Sequence, residues 1–166
     1  MKTPQRLLSL VVISILPSCS TPADGQPETN KEVVRQLVAA INDRDFDALD
    51  QLVAEDVVRH SQATPGVVVR NREDFKRFLR QDLATFPDAH QEIEILMAEK
   101  DKVSMYLTLT GTQQGPIGPY TASGDSVVVK FLGIMRLEDG QVAEIWAELD
   151  NLNILTQLGH YPVETE

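Results

Sequence analysis

The apolar positions of this chain follow two regimes, helical before Pro87 and alternating after it. Val33, Val34, Leu37, Val38 and Ile41 recur at helical spacing behind Thr29-Asn-Lys-Glu32, which has the spacing of a capping box. Asp45 or Asp47 is placed to cap a short second helix carrying Phe46, Leu49, Leu52 and Val53, and Asp56-Val-Val-Arg-His60 reads as a brief extended piece. A third helix is predicted from about Arg72 to Thr85, with Phe75, Phe78, Leu79, Leu83 and Phe86 inward and Pro87 ending it. Beyond Pro87, Ile93 and Ile95 alternate with glutamates, and Val103, Met105, Leu107 and Leu109 alternate with polar residues. Val127 to Leu137 is a long β-branched run, Glu138-Asp-Gly-Gln141 is a hairpin turn, and Val142 to Leu149 is the partner strand. Leu152, Ile154, Leu155 and Leu158 then predict a closing helix stopped by Gly159. Helices followed by a meander and a last helix make an α+β fold, with the N-terminal helices packed into a strongly curved antiparallel sheet.

The first residues change this picture at one end. Lys2 and Arg6 precede Leu7 to Leu16, a short apolar run of the kind found in secretory signals and too short to remain as a bilayer anchor. The only cysteine follows in Leu16-Pro-Ser-Cys19, which resembles a bacterial lipoprotein box. That resemblance implies a signal peptide at 1–18, a lipidated Cys19 opening a flexible tether at 19–30, and a folded domain at 31–166. Ser20 after the cysteine implies an exported envelope lipoprotein held at the outer membrane, facing the periplasm, with membrane contact only through the N-terminal lipid. The alternative is an ordinary signal peptide cut nearby, with an incidental cysteine.

Composition narrows the function. With 25 acidic and 15 basic residues, the net charge is −10, a surface that repels phosphate backbones, so no nucleic-acid partner is expected. One cysteine excludes a disulfide framework, and three scattered histidines show no metal-ligand spacing, so no metal is expected. No nucleophile elbow, P-loop or dinucleotide glycine pattern occurs.

Short motifs spread over about residues 31–160 carry a resemblance. They are Asp45-Phe-Asp-Ala-Leu49, Asp56-Val-Val-Arg-His60, Phe86-Pro-Asp-Ala-His90, Gly111-Thr-Gln-Gln-Gly115, Arg136-Leu-Glu-Asp-Gly140, Glu144-Ile-Trp146, and Asp150 with Gln157-Leu-Gly159. In this order they resemble the SnoaL-like polyketide cyclases of the nuclear-transport-factor-like fold, a cone-shaped half-barrel. The resemblance implies an intramolecular aldol closure without metal or organic cofactor, needing a base beside a carbonyl and donors for the enolate. It also exposes departures. The family's aspartate after the tryptophan is Ala147 here, the histidine before it is Ile145, the histidine three residues before the arginine is Gly133, and a further motif histidine is Gln113.

Asp150 matches an aspartate of an ester-cyclase branch and is the candidate base, or else the N-cap of the last helix. His60 matches a family histidine near the pocket mouth and is the second catalytic candidate, or else fixes a strand-to-loop turn. Gln113, Tyr120 (as a lid or a loop anchor), Trp146 and His90 complete the set of candidate ligand-binding residues, with His90 reading more readily as structural. His160 reads as a surface residue. Trp146 shares a strand face with Glu144 and Glu148, the outer face, which predicts a homodimer there or a cover from the chain's own tail. Three functions compete. They are a cofactor-independent cyclase, isomerase or lyase acting on a small apolar carbonyl compound, a non-catalytic module holding a hydrophobic ligand, and a domain whose sheet face recognises a protein.

Overall fold

The computed structural model of the protein describes residues 26–161. The signal-like run, Cys19 and the first part of the expected tether lie outside the described residues. Helix α1 (Gln26–Asp43) begins earlier than the capping-box spacing suggests. Pro27 suits a first helical turn, and Asn30, only 5% exposed, donates from Nδ2 to the Lys100 carbonyl at 3.0 Å, which ties this part of the helix to the β2–β3 turn. A four-residue helix α2 (Leu49–Leu52) follows, with Asp45 Oδ1 accepting from Ala48 N–H at 3.0 Å. Strand β1 (Val53–His60) then runs longer than the sequence pattern suggested and takes in Val53.

Helix α3 (Arg72–Thr85) has the predicted bounds. Asn71 caps it, accepting from Asp74 N–H at 2.8 Å, and Pro87 prevents continuation. Its position is fixed by Lys76, a 6% exposed lysine whose Nζ lies 2.7 Å from Asp50 Oδ1, while Arg72 donates to the Asp50 and Val53 carbonyls. Strands β2 (His90–Glu99), β3 (Lys102–Thr112), β4 (Ser126–Glu138) and β5 (Gln141–Leu149) form the meander, and α4 (Asn151–Gln157) closes the chain.

The five-stranded sheet is curved and unclosed, with order β1-β5-β4-β3-β2. It is mixed rather than wholly antiparallel, because β1 pairs parallel with β5 through Val58–Glu144, Arg59–Ile145 and His60–Trp146. A parallel partner needs a long crossover, and α3 with the meander supplies it. The core lies between the concave face of the sheet and α1 and α3, around Val34, Leu37, Val57, Phe75, Leu107 and Ile145. Among the described residues no helix is long and apolar enough to cross a membrane.

Candidate functional site

The structure disperses the candidates named by sequence. Asp150 is the N-cap of α4, its Oδ1 accepting from Asn153 N–H at 3.0 Å. His60 projects from the outer face of the sheet. Its ring stacks on Trp146 with centroids 5.3 Å apart, and its Nε2 lies 2.8 Å from Glu144 Oε1. Glu144 also accepts from Arg136 Nε at 3.1 Å, and the His60 hydrogen bond, then that of Arg136, holds its carboxyl below the usual range. One ring face of Trp146 is therefore covered by His60; the tail expected from the sequence as its cover lies mostly outside the described residues.

Gln113 is fully buried and spends its whole amide on the 113–124 loop. Nε2 donates to the Gly115 and Thr121 carbonyls at 2.9 and 3.3 Å, while Oε1 accepts from Ser123 N–H at 3.1 Å and lies 2.9 Å from His160 Nε2. That oxygen is an acceptor, so Nε2 of His160 is the protonated nitrogen. His160 is half-buried rather than a free surface residue, and its ring stacks on Tyr120 at 4.8 Å, which anchors the loop to the chain's end. His90 opens β2 opposite Thr110 and is exposed. Its neighbour Asp88 accepts from Thr112 N–H and Oγ1 at 2.7 Å each, and Arg44 Nη2 donates to the Pro87 and Ala89 carbonyls at 2.8 Å. The Phe86–His90 motif thus welds the end of α3 to the sheet.

Two polar groups that the motifs did not single out project from core-facing surfaces. Arg59 is in phase with Val57 on β1, so it points to the concave side while His60 points away. Its guanidinium carbon sits 4.3 Å over the Phe78 ring, and Nη1 donates to Thr64 Oγ1 at 2.8 Å. Asp82 lies one helical turn beyond Phe78 on α3, on the same face as Phe75 and Leu79. Water reaches the Asp82 side chain, yet protein atoms crowd it on most sides. That desolvation raises its pKa to about 6, against the pull of Arg59. Burial likewise lowers the Arg59 pKa, opposed by Asp82 and then Glu148. Glu148 is engaged elsewhere, accepting from Gln62 and Ala63 N–H at 3.0 and 3.2 Å. No carboxylate of the described residues lies within 4 Å of the Arg59 guanidinium, and the Asp82 carboxylate has no hydrogen-bond partner among them.

The wall beside this pair is apolar. Ile145 is the direct strand neighbour of Arg59, and Ala147 pairs with Gly133. A Cβ on Gly133 would meet Phe131 Cε1 at 2.8 Å and Met105 Cε at 3.1 Å, so the Phe131 ring lies back over the glycine and takes up the room a larger side chain would need. A groove of about 330 Å³ opens between the 66–68 segment and α3, lined by Val67, Val68, Arg77 and Gln81 as well as Phe78, but not by Arg59 or Asp82. None of the sequence-named candidates lines it. Among the described residues no cluster of three or more His, Cys, Asp or Glu is placed to hold a metal ion.

A family model described as SnoaL-like polyketide cyclase matches residues 31–158. Among solved structures, TsrD from Streptomyces laurentii is similar with a TM-score of 0.71 and 29% identity, over 81% of this chain and 97% of its own. IdmH from Streptomyces antibioticus, named as a candidate polyketide cyclase, is similar with a TM-score of 0.70 and 26% identity, over 81% of this chain and 99% of its own. A SnoaL-like protein from Jannaschia sp. CCS1 shares the fold with a TM-score of 0.75 at 24% identity, over 86% of this chain and 99% of its own. No curated protein matches the chain.

Proposed function

The chain belongs to the SnoaL-like polyketide cyclase family, and from that premise we propose that it is a cofactor-independent cyclase or isomerase acting on a small, mostly apolar carbonyl compound held on the concave side of the sheet. The observation that carries this reading is Asp82, a water-accessible carboxyl on the Phe75–Leu79 face of α3, with no hydrogen-bond partner among the described residues and a pKa raised by desolvation to about 6. A base with that pKa is largely ionised at neutral pH and still basic enough to take a proton beside a carbonyl. The proton passes to Asp82, and the electron pair left behind becomes the enolate. The Arg59 charge favours negative charge growing on substrate oxygen, and the Phe131, Ile145 and Ala147 wall limits water. The enolate then attacks a second carbonyl in a cyclase, or takes a proton back at another carbon in an isomerase. Asp150 and His60 have no part in this step, because one caps α4 and the other stacks on the outer face.

The test is deuterium uptake by cyclohexanone and 2-heptanone in D₂O, followed by NMR. Enzyme-dependent exchange at the carbon beside the carbonyl, rising as a group near pH 6 ionises and reduced about 10²- to 10⁴-fold in Asp82→Asn, is the expected result. A second reading, storage or transport of a hydrophobic ligand, is favoured by the Phe131 ring lying over Gly133 where the resemblance expects a histidine. Ketone binding without exchange at any pH selects it.

A further inference from the structure

Arg59 and Asp82 feel one another electrostatically, yet they do not form an ion pair. Opposite charges partly withdrawn from water, as here with Arg59 half-buried and Asp82 crowded but water-accessible, often close on each other, because the contact offsets part of their desolvation cost. Here each is held back by its own scaffold. Arg59 is stacked on Phe78 and tied to Thr64, and Asp82 is carried by the last turn of a helix whose end is fixed by Asp88, Arg44 and the Thr85 carbonyl, which accepts from Gln114 and Gly115 N–H. A guanidinium has five N–H donors in a planar fork, and the Arg59 guanidinium makes one hydrogen bond to the described residues, the one to Thr64. The arrangement leaves a guanidinium fork with free donors near a proton acceptor one helical turn beyond the Phe78 ring on which the fork stacks, and apolar Ile145 beside the fork in strand register.

We infer that the substrate is an oxo carboxylate, whose carboxylate is taken by the Arg59 fork while Asp82 removes a proton beside its carbonyl. This rests on the proposed function for the proton-transfer half, but not for the anchoring half. Two parallel N–H···O contacts to a carboxylate fit the guanidinium geometry, and donors remain for the oxygen on which the enolate charge grows. A neutral ester of the same compound keeps the carbonyl but loses the charge, so the pair isolates the role of the fork. Glu148 is the other acid near the guanidinium, and it stays on the Gln62 and Ala63 amides, which leaves the fork itself open.

The probes are 4-oxopentanoate and its methyl ester, with affinities read by NMR titration on the protein, its Asp82→Asn variant, and the variants Arg59→Gln and Arg59→Lys. The expected result is an acid-over-ester preference of about 10- to 100-fold, kept in Asp82→Asn and lost in Arg59→Gln. Arg59→Lys keeps the charge without the fork, so it retains a preference of a few-fold and guards against a folding defect in Arg59→Gln. Equal binding of acid and ester by the unaltered protein overturns the inference, as does a preference that survives in Arg59→Gln, and so does failure of both probes to bind. Acid preference without deuterium exchange on either probe supports the anchoring fork and counts only against catalysis.

Discussion

Replacing Asp82 by asparagine should make the protein more stable at neutral pH while removing the proposed base. The carboxyl is at about 6 in the folded state against an ordinary 3.8. The folded state therefore holds this proton more tightly than the unfolded chain does. Below about pH 4 both states are protonated and the residue is neutral in its effect. Between there and pH 6 the unfolded chain has released the proton and the folded state has not, so stability falls as pH rises, and above pH 6 the loss is complete. A shift of this size corresponds to a ceiling of about 3 kcal/mol. Because water reaches the side chain, screening reduces it, and about 1–2 kcal/mol is the expected gain for Asp82→Asn at pH 7–8.

The measurement is urea unfolding of both proteins from pH 3.5 to 8. Other carboxylates titrate identically in the two proteins and cancel, so the difference curve belongs to residue 82 and its coupling to Arg59. It should be near zero at pH 3.5, open between pH 4 and 6 in favour of asparagine, and then stay flat. A difference that does not change with pH, or a variant less stable than the parent at pH 7–8, would refute the claim that desolvation dominates Asp82.

Three other substitutions separate structure from chemistry. Asp150→Ala removes the α4 cap and should cost about 1 kcal/mol in unfolding experiments, with ketone exchange per folded molecule unchanged. Gly133→Ala drives a methyl into the Phe131 ring at 2.8 Å. It should cost about 1–3 kcal/mol, and Phe131→Leu in the same chain should recover part of it, a coupling that a double-mutant cycle reads directly. The outer sheet face carries exposed Ile95, Met97, Leu132 and Ile134 on the face that bears Trp146, the surface on which the homodimer is expected, so Trp146→Arg should shift sedimentation velocity from dimer to monomer. A parent protein that sediments as a monomer at tens of micromolar would dispose of that interface.

Local signals account for what the sequence disclosed. Asn71 and Pro87 bracket α3, strict alternation marks β3, and Asp139-Gly140 turns β4 into β5, with positive φ at both residues. The start of α1 and the parallel pairing of β1 were not legible. In the first, Asn30, which the sequence pattern places in a local capping box, instead reaches the distant Lys100 carbonyl, and the second joins segments nearly ninety residues apart whose own patterns say nothing of direction. Motif matching pointed to His60, whereas simple parity does better. With Val57 in the core, the residue two further on faces inward and the next faces out, which selects Arg59 over His60. Asp82 was open to the same reasoning, four residues after Phe78 and three after Leu79 on an otherwise apolar stripe. Its raised pKa was not, because that depends on crowding by side chains from elements far away in the chain. Gln113 and His160 likewise meet only through the fold, 47 residues apart.

The missing acid/base residues and the new polar pair are parts of one rearrangement of the concave wall. Ile145 and Ala147 leave β5 without a proton carrier, and Gly133 lets Phe131 lie flat where a histidine would stand. If polarity had simply been deleted, the neighbouring strand and helix would be expected to present apolar residues too, since an unpaired charge in such a wall costs free energy. Instead Arg59 stands next to Ile145 in the parallel register, and Asp82 takes a place in the apolar stripe of α3. Arg59 stacks on Phe78 and gives one guanidinium donor to Thr64, while nothing among the described residues hydrogen-bonds the Asp82 carboxylate. A pocket that only stores an apolar ligand gains nothing from bearing the desolvation of both groups. A pocket that moves a proton and steadies an oxyanion needs one of each, so the cost itself favours chemistry on β1 and α3 over a passive cavity.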